Sequence, residues 1–306
     1  MKNLKELLKD KSIINSENIF YLGLGWSAFA LLFFLLYSVP EPGEATSSWY
    51  LRGTYVWEMV AFLAAALLCF RNWLIPNVAS GKKVWQLMGI GMILFFIGDV
   101  FFGIWELYFG LEPDVSPADF FYLAFYVFVG WGIILAVIPR RLNLSKIQLT
   151  IIAVISFLGV LLAIWTNVFL PENVSETIPI TYSTDLPAWI LNLDKFLRNF
   201  SGIFSFLYII FDVALLILAS ALLLAFWGGR LAQPWRMIAA ASFCLYIADM
   251  SVHYADVTAA FYESGNLLEV FFVFSGVLFA LGAVREYDLS LSSRSHRNRR
   301  KKSSGL

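Results

Sequence analysis

The chain has 306 residues, 59% hydrophobic and only 14% charged, with 22 basic and 22 acidic side chains and a mean hydropathy of +0.73. A soluble domain carries about 25% charged and about 45–50% apolar residues, so the excess apolar surface must face lipid. This excludes a soluble enzyme, a disordered chain and a nucleic-acid binder, and two cysteines exclude a disulfide scaffold or a Cys-rich metal site.

The chain opens with a charged segment, 1–18. It lacks the pattern of a cleavable signal. Leu4, Leu7 and Leu8 with Lys5 and Lys9 predict a short helix lying on the membrane surface. A spanning helix needs ~20 mostly apolar residues. Such runs follow at 19–39, 54–75, 84–110 and 118–139, then at 147–170, 201–227, 234–261 and 266–285. Barrel strands need only ~9–11 alternating residues, so the fold class is all-α: a polytopic membrane protein of eight transmembrane helices. All ten prolines lie at span ends or in loops. No span is broken by proline, as ion sites of transporters often require, although Gly89, Gly91 and Gly98 leave that question open.

The long loop 171–200 carries Leu186, Trp189, Ile190, Leu193, Phe196, Leu197 and Phe200 at helical spacing, with Asp185, Asp194, Lys195 and Arg198 on the other side. This predicts an amphipathic helix at the interface; a cap over a cavity is the alternative. The basic tail, 286–306, suits contact with anionic lipid. The loops on the side of the termini hold 19 of the 22 basic residues and the opposite loops hold 3. Lysine and arginine stay inside, so both termini are expected in the cytoplasm.

A shift of 150 residues aligns Trp85 with Trp235, Asp99 with Asp249, Glu106 with Asp256 and Asp119 with Glu269; Glu58 and Asp212 pair at a shift of 154. The expectation is two tandem four-helix halves, 19–139 and 147–285, related by a pseudo-two-fold axis along the membrane normal.

Those eight carboxylic acids are expensive in lipid and mark function by default. Asp119 follows Ser116 by three residues, and Glu269 follows Asn266 by three, which reads as helix capping, with ligand binding as the alternative. Asp99 and Asp249 fall inside helices. Asp249, His253 and Asp256 share one helical face. Asp99, Glu106, Asp249, His253 and Asp256 are therefore the candidate ligand or proton site, with Ser116, Asp119, Asn266 and Glu269 secondary and Glu58 and Asp212 as further buried acids. An interhelical hydrogen-bond network, a proton or cation site and a small-ligand sensing site all remain open. No cofactor is expected; a divalent metal on His253, Asp249 and Asp256 is the alternative. No lysine lies inside a span for a Schiff base, and no GxSxG elbow, phosphate loop or dinucleotide fingerprint occurs. Cys69 and Cys244 read as small buried apolar residues. The abundant aromatics read first as interfacial belt and packing.

The stretch from Gly98-Asp99 to Ser116-Pro117-Ala118-Asp119-Phe120-Phe121-Tyr122-Leu123-Ala124-Phe125-Tyr126, echoed by Ala248-Asp249 and Gly265-Asn266-Leu267-Leu268-Glu269, resembles the multi-pass membrane region found ahead of diguanylate cyclase (GGDEF) domains in bacterial signalling proteins. The likeness covers spans 2–4 and 6–8, and departs in placing Ser116 before Pro117. It implies a bacterial inner (plasma) membrane location and a sensory role. The 21 residues after the last expected span are too few for an output domain, so signalling would pass to a separate cytoplasmic protein. The leading expectation is a non-enzymatic sensory or ligand-binding module in contact with membrane lipid. The rivals are a proton- or cation-coupled transporter and a structural subunit of a membrane complex.

Overall fold

The computed structural model describes residues 15–39, 46–76, 78–111, 115–137, 145–165, 186–225, 232–258 and 264–303, with side chains except at 225, 256–258 and 293–303. The surface helix expected within 1–18 and the first part of the 171–200 loop lie outside these residues. The helices are α1 (Ser16–Tyr37), α2 (Ser48–Leu74), α3 (Lys82–Gly103), α4 (Ala118–Val137), α5 (Lys146–Ile164), α6 (Ala188–Arg198), α7 (Ser201–Ala225), α8 (Ala232–Thr258) and α9 (Val270–Ser303). A π-helical turn, Ile104–Tyr108, extends α3, and a 3-10 turn, Leu267–Glu269, precedes α9. Among the described residues there is no strand, and eight helices are long and apolar enough to cross a membrane. Helices are what such apolar runs must form, because lipid offers no partner to an unpaired backbone group.

Seven of the expected spans agree with these helices to within about six residues at each end. The eighth does not stop at 285. Its helix continues to Ser303, and its first turn past 285 is held by protein. Glu286, fully buried, accepts the Ser80 N–H at 2.7 Å, and Ser290 accepts the Ala79 N–H at 3.1 Å. The Arg71 guanidinium lies 3.9 Å above the Tyr287 ring. The expected tail 286–306 therefore begins as a continuation of the helix, packed on protein at Glu286 and Ser290.

Six helices close a ring in the order α2, α3, α4, α7, α8, α9, with α9 packed back on α2. α1 leans on α9 and α5 on α7 from outside, and these two peripheral helices are the least buried of the eight. Toward the end that carries the chain termini, the ring is filled by apolar side chains. Met88, Ile133, Leu222 and Phe279 are buried there, and the Trp85 and Trp235 rings lie 6.1 Å apart. The opposite end is looser and polar.

Amphipathic α6 sits at that opposite end. Ile190 packs with Trp105 and Leu111, and Leu197 with Val115 and Phe204, while Trp189 and Phe196 face outward. Buried Asp194 pairs with Arg198 at 2.8 Å one turn away. The helix therefore uses one edge as protein packing and leaves aromatic side chains on the other.

α2 and α9 approach closely at Gly276, where an added Cβ would stand 2.9 Å from Ala61 Cβ and 3.1 Å from its backbone carbon. Overpacking of this kind costs about 1–3 kcal/mol. Gly276→Val is expected to lower the unfolding temperature of the detergent-purified protein by several degrees. Gly25→Val, at a site with no atom within 4 Å, should leave it nearly unchanged. Equal melting of the two variants would contradict the α2–α9 contact.

Candidate functional site

Away from the termini, the ring encloses a cavity of about 210 Å³. α2 supplies Tyr55 and Glu58 to its wall, α4 supplies Asp119, Tyr122 and Tyr126, and α7 supplies Tyr208 and Asp212. α8 supplies Asp249 and His253, and Glu269 comes from the turn before α9. Phe95, Phe102 and Phe272 complete an aromatic wall.

Local sequence explains how each acid is held. At the head of α4, Pro117 cannot donate a hydrogen bond and starts the helix. The Asp119 carboxylate reaches back to the Ser116 N–H at 2.7 Å, and Ser116 Oγ accepts the Ala118 N–H at 3.2 Å. The head of α9 repeats this. Glu269 accepts from Asn266 N at 3.0 Å and Gly265 N at 2.7 Å, and the Asn266 side chain accepts from Leu268 N, forming a capping box. Gly265 makes the turn possible with φ of 98°, and its carbonyl accepts the Tyr50 hydroxyl at 2.6 Å.

Tyrosines hold the remaining acids. Tyr122 donates to Asp99 Oδ1 at 2.9 Å, and Tyr208 to Asp119 Oδ1 at 2.7 Å. Tyr55 donates to Glu106. The Tyr126 hydroxyl sits between two acids, in contact with Asp212 Oδ1 and Asp249 Oδ2. Both carboxyls therefore lie against one hydroxyl. A phenol carries one proton, so these contacts together require at least one more, held by a carboxyl.

Gly98, beside Asp99, has a packing reason. A Cβ there would lie 2.6 Å from Tyr122 Cε1. The missing side chain makes room for the ring whose hydroxyl binds Asp99, which gives the Gly-Asp pair a single local purpose.

The structure distributes the expected site residues unevenly. Asp249 and His253 line the cavity together, four residues apart on one face. Asp99 stands behind the wall, joined to it through Tyr122. Glu106, in the π-helical turn, is joined through Tyr55. The Asp256 side chain lies outside the described residues. Asp119 and Glu269 both cap helices and line the cavity, and Glu58 and Asp212 line it directly. Among the described residues no group of three or more His, Cys, Asp or Glu is arranged to hold a metal ion. Tyr55, Tyr122, Tyr126 and Tyr208 were missed as site residues. The signal was present: Tyr55 precedes Glu58 by three residues and Tyr208 precedes Asp212 by four, the spacings that share a helical face.

No family model matches the chain, no curated protein matches its sequence and no solved structure matches its fold. Fold and cavity define the class directly: a polytopic all-α membrane protein with a carboxyl- and phenol-lined cavity inside its bundle.

The bridging role of Tyr126 sets a stability test. Tyr126→Phe should destabilise the protein by about 1–3 kcal/mol, the cost of leaving buried polar groups unpaired. In an Asp212→Asn background, the same change should cost less than half as much, because one of the two acids it serves has gone. Thermal melts of the four proteins close the cycle. Additive effects would mean that Tyr126 and Asp212 act independently.

Proposed function

We propose that this protein is a non-enzymatic sensory or ligand-binding membrane module and that the cavity is its binding site. The observation that carries this reading is the concentration of five carboxyls, four phenols and one imidazole around one volume of about 210 Å³. Binding sites are typically concave and apolar with a few convergent polar groups, and acids kept within a membrane span are functional by default. The apolar packing around Trp85 and Trp235, toward the termini, weighs against a continuous path through the ring. That favours binding over transport.

Transmission has a physical route. α9 begins beside Glu269 in the cavity wall and runs unbroken for 34 residues to Ser303. A ligand that prefers one packing of α9 shifts the population of its far end. The excess of lysine and arginine on the side of the termini supports a cytoplasmic location for that end, in a bacterial plasma membrane, where a separate signalling protein would read it. The likeness of the 98–126 stretch to GGDEF-associated membrane regions supports the same assignment. The meeting of Trp85 with Trp235, a pair related by the 150-residue shift, supports the two-halves reading of the chain.

A panel of small polar compounds screened by thermal shift on the purified protein should yield at least one stabilising ligand, since binding to the native state alone raises its stability. Asp212→Asn and Asp249→Asn should each lose that shift. Proteoliposomes loaded with the same compound should show no flux. Binding that survives both substitutions would remove the cavity as the site, and flux would replace sensing with transport.

A further inference from the structure

We propose that the cavity takes a small organic ammonium ion, and that this cation displaces the proton held between Asp212 and Asp249. This deepens the reading that the cavity is the binding site and depends on it.

Hydrogen bonding separates the acids into two groups. Asp119 and Glu269 are occupied: each carboxyl accepts from backbone N–H groups at a helix start, and Asp119 also accepts from Tyr208. Such carboxyls are already stabilised by the helix end. Glu58, Asp212 and Asp249 have no backbone donor among the hydrogen bonds seen at the site. Asp212 is 1% exposed, lines the cavity, and its Oδ2 receives no hydrogen bond from an amide or hydroxyl. Only the proton held with Asp249 can serve this buried oxygen, and an N–H donor from outside that displaced the proton would take its place.

Charge points the same way. No lysine or arginine is among the described lining residues, and His253 is the one basic side chain there. The groups around the Asp212–Asp249 pair are acids and phenols. Glu58 faces it from α2, and Tyr126 and Tyr208 from α4 and α7. Tyr246 and His253 share α8 with Asp249. Asp119, Tyr122 and Glu269 complete the wall, with Asp99 behind Tyr122. An anionic ligand would meet repulsion from every side, whereas a cation meets its counter-charge.

The shape of the wall selects an organic cation over a bare ion. No metal-holding group of acids and imidazole is present among the described residues. Phe95, Phe102 and Phe272 present aromatic surface to the same space, and a ring face within about 6 Å of a cation is attracted to it. A cavity of ~150 Å³ takes benzene, so 210 Å³ suits a compound with an alkyl chain of a few carbons beside its ammonium group.

The exchange balances. Before binding, one proton beyond that of the phenol holds the Tyr126, Asp212 and Asp249 oxygens together. An arriving R–NH3+ donates N–H bonds to the same oxygens. The shared proton then leaves to water, and one positive charge has replaced another. No covalent bond is made or broken apart from the O–H that releases this proton.

n-Butylammonium, 1-butanol and butyrate form a matched set of probes. Titration calorimetry of the purified protein in buffers of different ionisation heat reads both affinity and proton count. n-Butylammonium should bind, release about one proton, and bind about tenfold more tightly for each pH unit gained while the pair is protonated. Butanol and butyrate should bind at least tenfold more weakly. Asp212→Asn and Asp249→Asn should abolish the proton release and weaken the cation at least tenfold; the wild-type measurements decide the matter even if neither variant folds. Cation binding without proton release overturns the exchange. Butanol or butyrate binding as well as n-butylammonium overturns the ligand class while leaving the cavity as a binding site. Failure of all three probes, beside a panel compound whose binding needs Asp249, overturns the ligand class alone. Failure of the probes and the panel together overturns the cavity reading as well.

Discussion

A hydrocarbon bilayer supplies no hydrogen bonds, and the rest of this structure follows from that constraint. In the described spans backbone groups are satisfied within helices or, at some helix starts, by side chains, and polar side chains inside the bundle favour protein partners. At the cavity the partner is usually a tyrosine. A phenol offers one strong donor on a flat apolar body, so its ring can pack like a core residue while its hydroxyl serves a carboxyl. Tyr122 shows both functions at once. Its ring packs against Phe95 at 4.9 Å, and its hydroxyl holds Asp99. An arginine partner would have neutralised the acid and filled the space. Tyrosine holds the carboxyl in place without bringing an opposite charge.

The fold was legible in the sequence where a single physical rule acted alone. Seven span positions followed from uninterrupted apolar runs bounded by proline and charge. The span in α9 was legible as well, but not how far its helix runs past 285, because Glu286 and Ser290 look like a solvated tail. They are instead buried acceptors for the turn before α3, a tertiary contact that no local pattern announces. The helix in the long loop was legible because its apolar and charged residues alternate at helical spacing. Which edge would meet protein was not, since that depends on Trp105 and Phe204 from distant parts of the chain.

The site was legible in part for similar reasons. Acids stand out in an apolar sequence, and of the eight span acids singled out, the seven with described side chains line the cavity or hydrogen-bond a tyrosine that does. Their ranking was less accurate. Asp212 stood with Glu58 as a further buried acid outside the candidate site; its partner Tyr126 comes from another helix and joins it to Asp249. Glu106 was grouped with Asp99 by helical register, yet the intervening backbone widens into a π-helical turn and Glu106 meets Tyr55 instead. The tyrosines were overlooked because the same residue type also populates membrane interfaces. Composition does not separate those two uses, and spacing does so only in part: Tyr246 precedes Asp249 by three residues yet donates to the Gly159 carbonyl.

Two capping devices tie the cavity to the mechanics of the bundle. Asp119 and Glu269 each spend their oxygens on the first turn of a helix and still line the cavity. Any ligand that draws on either carboxyl competes with the start of α4 or α9. The competition matters more at α9, because that helix carries the far packing of Glu286 against the α2–α3 turn. On the proposed reading, ligand chemistry in the cavity and movement at the other end of the protein need no separate relay. One unbroken helix spans the distance, with its first turn beside the cavity. This arrangement also suits the apolar packing of the half of the ring toward the termini. An open path would suit a carrier, but a sensor needs a solid body through which a small change at one end is felt at the other.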